Sequence, residues 1–177
     1  MRHDIVLTVI GPDRPGLVQA LSDTVASHRG NWEESRMAHL SGRFAGILRL
    51  SVAAEDASAL QTALQQLEAR GLRVIAEVEA PNAPTPDAAG ARRLQLEVVG
   101  NDRQGIVREV AHALASRAVN VERLETRCED APMGGGQIFR ARALLQVPAQ
   151  LSLQDLREVL EALADDLMVD LLERPGH

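Results

Sequence analysis

Two short segments of the chain carry the same spaced glycine, aspartate and arginine residues. One is Gly11-Pro12-Asp13-Arg14-Pro15-Gly16, and the other is Gly100-Asn101-Asp102-Arg103-Gln104-Gly105, 89 positions later (Gly11 to Gly100). Each follows an apolar strand-like run and precedes a helix-like pattern. A helix N-terminus exposes unpaired N–H groups and the positive end of the helix dipole, which attract a carboxylate. These segments, called the first and second corners below, therefore indicate sites for a small carboxylate-bearing molecule.

A purely structural role would also explain such a corner. Gly11 would adopt a backbone angle that other residues avoid, Asp13 would cap the helix, and Pro15 would fit its first turn. Spacing alone favours this structural interpretation. The second corner, however, keeps both glycines and the aspartate although its sequence has lost both prolines. That repetition favours the ligand hypothesis.

An asparagine recurs at the same 89-residue spacing, as Asn31 and Asn120. Each opens the strand that follows the first helix of its copy, and we expect that strand end to lie near the same edge as the corner. An asparagine side chain offers both a donor and an acceptor. Together with the aspartate it would suit an amino acid, which carries charges of both signs.

The elements that position the corners follow from the periodicity of apolar residues. A strand is predicted at 4–10, a helix at 16–28 that Gly30 ends, and two strands around the turn Ser41-Gly42-Arg43. A helix ending at Gly71 and a strand at 72–78 complete the copy. The second copy repeats this order, with an insertion at 128–137.

The order β-α-β-β-α-β matches the ferredoxin-like arrangement. We therefore predict an α+β protein with two ferredoxin-like βαββαβ domains in tandem, each an antiparallel sheet with its helices on one face. The other face of each sheet would be bare. The predicted domains are 1–79 and 92–174. The proline-rich segment 80–91 is the predicted linker.

Composition excludes several function classes. The net charge is −6, and basic residues form no run longer than Arg92-Arg93, which argues against direct binding of nucleic acid or of an anionic membrane. One cysteine, Cys128, fits a reducing compartment. Neither a signal peptide nor a membrane span is predicted, so a cytoplasmic location is expected. The scattered histidines predict no metal site, and we expect no cofactor and no catalytic site.

The corners also carry a family resemblance. The run Gly11 to Val18 resembles the strand-to-helix motif of ACT domains, and Gly30-Asn31 resembles their entry to the second strand. The chain thus looks like a tandem pair of ACT domains, and it is similar in length and architecture to the glycine cleavage system transcriptional repressor family. By matching position, the resemblance implies ten ligand-binding residues, which are Gly11, Asp13, Gly16, Leu17 and Asn31 in the first copy and Gly100, Asp102, Gly105, Ile106 and Asn120 in the second.

The same resemblance implies a function. The expectation is a regulatory protein, not an enzyme, that binds glycine or a similar small amino acid at ACT interfaces and controls transcription through a protein partner. The partner in the resembled family is a transcriptional activator, and a homodimer is expected. The alternative is a regulatory subunit or dimerisation module of an enzyme of amino-acid or folate metabolism.

Overall fold

The computed structural model describes residues 2–78, 90–132, 135–163 and 167–173. The chain forms two compact units, Met1–Pro84 and Thr85–His177. The division falls inside the predicted linker, of which residues 80–89 lie outside the described part of the chain. The domain limits 1–79 and 92–174 therefore remain predictions.

Both units have the predicted order of elements. The first contains β1 (Arg2–Pro12), α1 (Leu17–Ser27), β2 (Asn31–Leu40), β3 (Arg43–Ala53), α2 (Ala54–Gln66), a 3₁₀ turn (Leu67–Arg70) and β4 (Arg73–Val78). The second contains β5 (Arg92–Asn101), α3 (Ile106–Ala115), β6 (Asn120–Asp130), β7 (Gln137–Val147), α4 (Leu153–Glu161) and β8 (Met168–Glu173). The longer β6–β7 connection is the predicted insertion of the second copy.

Each unit is one antiparallel sheet with the strand order of the ferredoxin-like fold. The order is β2-β3-β1-β4 in the first unit and β6-β7-β5-β8 in the second. Alternate residues of the two central strands point to one face, where they pack with the helices in a single core. In the first unit this core contains Ile5 and Leu7 of β1, Leu50 of β3, Leu21 of α1 and Leu64 of α2. The predicted α+β fold is confirmed.

The helix-free faces of the two sheets differ in character. In the first unit Ile47 and Ile75 flank Thr8 across the sheet, and both isoleucines are exposed. In the second unit Glu97 instead pairs with Arg140 at 2.8 Å and Arg142 at 3.3 Å. Hydrogen bonding from Arg140 holds the pKa of Glu97 below its ordinary value. The centre of the first face thus carries exposed isoleucines on either side of Thr8, whereas the equivalent place in the second carries a paired cluster of charges.

The end of α1 differs from the prediction. Arg29, and not Gly30, has the left-handed backbone, with φ 57°. The N–H of Gly30 donates to the carbonyl of Val25 and that of Arg29 to Ala26, which is the Schellman pattern with Gly30 one position later than expected. Gly30 is needed for space, because a Cβ there would lie 2.8 Å from a methyl carbon of Val25.

Helix α3 ends in the same way, with Ala118 as the left-handed residue at φ 55°. This conformation costs an L-residue about 1–2 kcal/mol, and glycine avoids that cost but gives the unfolded chain more freedom. We expect Ala118→Gly to raise the free energy of unfolding of the second unit by about 0.5–1 kcal/mol. Urea unfolding followed by circular dichroism measures this change. The unfolding midpoint of the first unit, followed by the fluorescence of Trp32, should stay the same. The control Ala115→Gly, within α3, should lower the free energy of unfolding of the second unit. An equal decrease in both variants would contradict the expectation.

Candidate functional site

Glycines 16 and 105 form the helix starts at the two corners. Gly16 precedes α1 with φ 90°, and Gly105 precedes α3 with φ 92°, so both adopt the left-handed conformation that favours glycine. No side chain caps either helix. The prediction that Asp13 caps α1 is therefore wrong, because the chain makes a further turn between that aspartate and the helix. The first amides of both helices are left without a side-chain acceptor.

Gly11 does not have the unusual backbone angle that the structural interpretation assigned to it. It lies in β1, opposite Phe44, and is not among the residues of positive φ. A Cβ at this position would instead lie 2.6 Å from the carbonyl oxygen of Gly71. The residue must be small because the backbone of the neighbouring turn approaches it. Gly100 occupies the same place in β5, opposite Phe139.

The corner aspartates face the strand that follows the first helix. The N–H of Asp13 donates to the carbonyl of Gly42, and its Oδ2 lies 3.5 Å from Nε2 of His39. In the second unit the N–H of Asp102 donates to the carbonyl of Gln137. Local desolvation, and then the Asp102 carboxylate, raise the pKa of the exposed Cys128 thiol. Cys128 stands 89 positions after His39 (128 against 39), so imidazole and thiol occupy equivalent positions.

A raised pKa makes Cys128 a slow nucleophile, because the thiolate is the reactive form. We expect Asp102→Asn to increase its alkylation rate by iodoacetamide at neutral pH several-fold, since the charge that opposes ionisation is gone. Mass spectrometry of the folded chain against time measures the rate. Asp130→Asn, on the same strand, is the control, and equal rates in the two variants would contradict a specific effect of Asp102.

The asparagines do not lie where the sequence placed them. Asn31 is aligned across β3 with Asp4, at the start of β1, whereas the first corner follows the end of that strand. Gly11 lies seven positions after Asp4, which is about 23 Å of extended chain. Asn120 is displaced in the same way in the second unit, where it is aligned with Arg93. A small molecule at a corner cannot also contact the asparagine of the same unit.

The first residue of each helix is part of the core. Leu17 and Ile106 are 6% and 2% exposed, so their side chains anchor the helix starts to the sheets. They offer a ligand their backbone N–H groups more than their side chains. A ligand-binding role for these residues, as for the two asparagines and Gly11, remains a prediction.

An open cleft of about 450 Å³ lies at the start of α1. Gly16 and Leu17 line it together with Arg14, Asp23 and Arg70. A Cβ on Gly16 would have no atom within 4 Å, so the helix start is accessible. The cleft thus brings the start of α1 together with two arginines and one aspartate.

Sequence reasoning missed Arg14, Asp23 and Arg70 as site residues. Arg14 stands inside the corner itself, so its positive charge beside an expected carboxylate site could have indicated a role in binding. Asp23 lies on the exposed side of α1, where a charged residue is ordinary. Arg70 reaches the cleft from the 3₁₀ turn, and only the tertiary fold brings it there.

The second unit has a small cavity between α3 and its sheet, of about 40 Å³. Its walls are apolar and include Val107, Val121, Leu124 and Phe139. Such a cavity offers nothing to the charged groups of an amino acid. Within the described ranges there is also no group of three histidine, cysteine or acidic residues suited to a metal. None of the helices described has the length and apolarity that a membrane crossing requires.

Comparison with known proteins agrees with this architecture. Residues 3–78 match the family model described as ACT domain. The glycine cleavage system transcriptional repressor of Escherichia coli is 23% identical over 166 residues, 94% of this chain and 86% of that protein. That relative is named as a regulator and not as an enzyme.

Two solved structures share the fold over almost the whole chain. An unknown protein from Galdieria sulphuraria is 30% identical and has a TM-score of 0.85, with 99% of this chain and 100% of that chain covered. A candidate glycine cleavage system transcriptional repressor is 19% identical, with a TM-score of 0.71 and coverage of 98% and 99%. The first unit of this protein is therefore an ACT domain, the second unit repeats its strand order, and the chain as a whole is similar to the glycine cleavage system transcriptional repressor of Escherichia coli.

Proposed function

We propose that this protein senses a small amino acid, glycine or one of similar size, at the first corner and controls transcription through a protein partner. The observation that carries the proposal is the open cleft at the start of α1, in a unit that matches the ACT domain model. The similarity to a transcriptional repressor supports the regulatory role. On this proposal the protein regulates and does not catalyse.

The charges of the cleft suit both ends of an amino acid. Arg14, Arg70 and the amides of α1 would receive the carboxylate, because guanidinium groups and helix N-termini both favour anions. Asp23, on the same cleft, would receive the ammonium group.

The affinity of such a site is limited by the size of the ligand. Very small ligands gain at most about 1.5 kcal/mol per non-hydrogen atom, so glycine would gain at most about 7.5 kcal/mol. This corresponds to a dissociation constant no tighter than roughly micromolar. Affinity in that range suits a sensor that follows metabolite concentrations.

The route to transcription would pass through protein contacts and not through DNA. The net charge of −6 gives little attraction to phosphates. The helix-free face of the first unit, where Ile10, Ile47 and Ile75 are exposed, would suit a second copy of the chain, consistent with a homodimer. Light scattering of the pure protein tests the dimer, and titration with duplex DNA at low salt should show no binding.

The sensing function is tested by titrating the full chain with each of the twenty amino acids. We expect glycine or another small amino acid to raise the thermal midpoint at millimolar concentration, because a ligand that binds only the native state stabilises it. An amino alcohol lacking the carboxylate, ethanolamine, is the control and should have no effect. If no amino acid binds, by thermal shift or by calorimetry, the proposal is wrong.

A further inference from the structure

The two corners differ at the fourth residue of the helix that follows. This residue is Ala20 in α1 and Glu109 in α3, and the two are 89 positions apart (20 against 109), like the corners themselves. Both N–H groups at this position donate to the carbonyl of the preceding glycine, Gly16 or Gly105, at 2.9 Å. The backbones are thus alike, and only the second corner carries a carboxylate there.

The carboxylate of Glu109 turns back over the start of its own helix. Arg103 Nη1 donates to Glu109 Oε1 at 2.9 Å, and Arg103 Nη2 donates to Oε2 at 2.6 Å. Oε1 also lies 3.5 Å from the point where a Cβ on Gly105 would stand. The fork of hydrogen bonds from Arg103 holds the pKa of Glu109 below its ordinary value. The group is therefore ionised at neutral pH, and it lies beside the helix start, where it accepts two hydrogen bonds from the corner arginine.

The first corner has no such carboxylate. Arg14 corresponds to Arg103, but no ion pair joins it to another side chain in the described part of the chain. Its guanidinium group lies beside the Gly71 turn, with Nη2 3.4 Å from the point where a Cβ on Gly71 would stand. The space above Gly16 is open to the cleft. An arginine that meets an internal carboxylate in one copy thus faces solvent in the other.

We propose that Glu109 is a built-in carboxylate that closes the second corner, so that each chain has one working amino-acid site, at the first corner. This inference rests on the proposed function and adds the number of sites and the residue that sets it. It also defines the ligand class, since the molecule bound at the first corner must supply the carboxylate that Glu109 supplies in the second. A bidentate, charge-assisted pair is a strong competitor for that position.

The amides of Gly16 and Gly105 are separate reporters of the two corners. In ¹⁵N-¹H spectra of the full chain titrated with glycine, and in parallel with L-serine, we expect Gly16 to shift and Gly105 to stay. Removing the carboxylate in Glu109→Ala should bring a saturating shift at Gly105, at higher ligand concentration than at Gly16 because His112 stands where the first unit has Asp23. Calorimetry should then show a second, weaker ligand per chain. Glu109→Gln, which keeps the size but not the charge, is the matched variant. It should also gain a shift at Gly105, but with weaker binding than in Glu109→Ala.

The reciprocal change tests the same mechanism from the first corner. Ala20→Glu places a carboxylate within reach of Arg14 and should abolish the shift at Gly16, whereas Ala20→Gln should reduce it less. Should the Ala20 variants fail to fold, the Glu109 variants decide alone.

The outcomes separate this inference from the function on which it rests. Shifts of both glycines in the unchanged protein, or a shift at Gly16 with none gained at Gly105 in Glu109→Ala, would overturn the role of Glu109 and leave the sensing function standing. If neither Gly16 nor Gly105 shifts in the unchanged protein or in Glu109→Ala, both the role of Glu109 and the sensing function are overturned.

Discussion

Gly11→Ala should lower the free energy of unfolding of the first unit by about 1–3 kcal/mol, the range for forcing extra atoms into a packed interior. The new Cβ would lie 2.6 Å from the carbonyl oxygen of Gly71. That oxygen cannot retreat easily, because the N–H groups of Gly71 and Leu72 are bonded to the carbonyls of Glu68 and Leu67. Either β1 or the turn must move, and each is tied to the core of the sheet.

Trp32 makes this measurement specific for the first unit. It is the only tryptophan of the chain, and it packs against the core of that unit. Urea unfolding followed by its fluorescence should show a lower midpoint for Gly11→Ala and a lower one still for Gly11→Val. Gly16→Ala is the control for backbone strain without a clash, and its cost should stay near the roughly 1–2 kcal/mol of a left-handed L-residue. A Gly11→Ala protein as stable as the parent would contradict the close approach.

The result also bears on what Gly11 does. In the sequence it stands among the residues that match a ligand-binding motif, and its repetition as Gly100 strengthened that hypothesis. The contact with Gly71 gives a sufficient reason for glycine without any ligand. Repetition of a residue within a chain therefore records a shared fold as readily as a shared site. Gly16 differs, since its open surroundings leave room for a ligand.

The order of the elements was predictable from local patterns. Apolar periodicity and turn residues indicated every helix and strand, including the hairpin turn at Ser41 and Gly42, both of positive φ. Such signals lie within a few residues of one another, so sequence alone contains them. The pairing of the strands could not be predicted in this way, because it joins residues far apart in the sequence. Asn31 lies far from the corner because β2 runs antiparallel to β3 and begins at the opposite edge. For that reason the expectation that each asparagine lies near the corner of its own copy was wrong, whereas its ligand-binding role stays a prediction.

The composition of the cleft was predictable only in part. Gly16 and Arg14 belong to the corner and could be found in the sequence, whereas Arg70 arrives from a turn more than fifty residues later. The closure of the second corner depends on how one side chain folds back. The sequence contains Glu109 in the first turns of a helix, where an acidic residue is ordinary, and the contact with Arg103 appears only in the structure.

Arg14→Gln should weaken amino-acid binding roughly 10- to 150-fold, if the first corner is the sensing site. A hydrogen bond to a charged group contributes about 1.5–3 kcal/mol, and 1.4 kcal/mol corresponds to a factor of ten. Arg14 is exposed and has no ion pair among the described residues, so its replacement should leave the unfolding midpoint of the first unit within error. Calorimetric titration with glycine, and with L-serine, measures the change in affinity.

Arg103→Gln is the matched variant, because it removes the corresponding arginine from the corner that Glu109 occupies. We expect it to leave the affinity for the amino acid unchanged and to lower the stability of the second unit slightly, since an exposed ion pair contributes little. The pair of variants thus separates a ligand contact from a general effect of losing a positive charge. Equal weakening by both would mean that the overall charge of the protein attracts the ligand, and unchanged binding in Arg14→Gln would remove the first corner from the site.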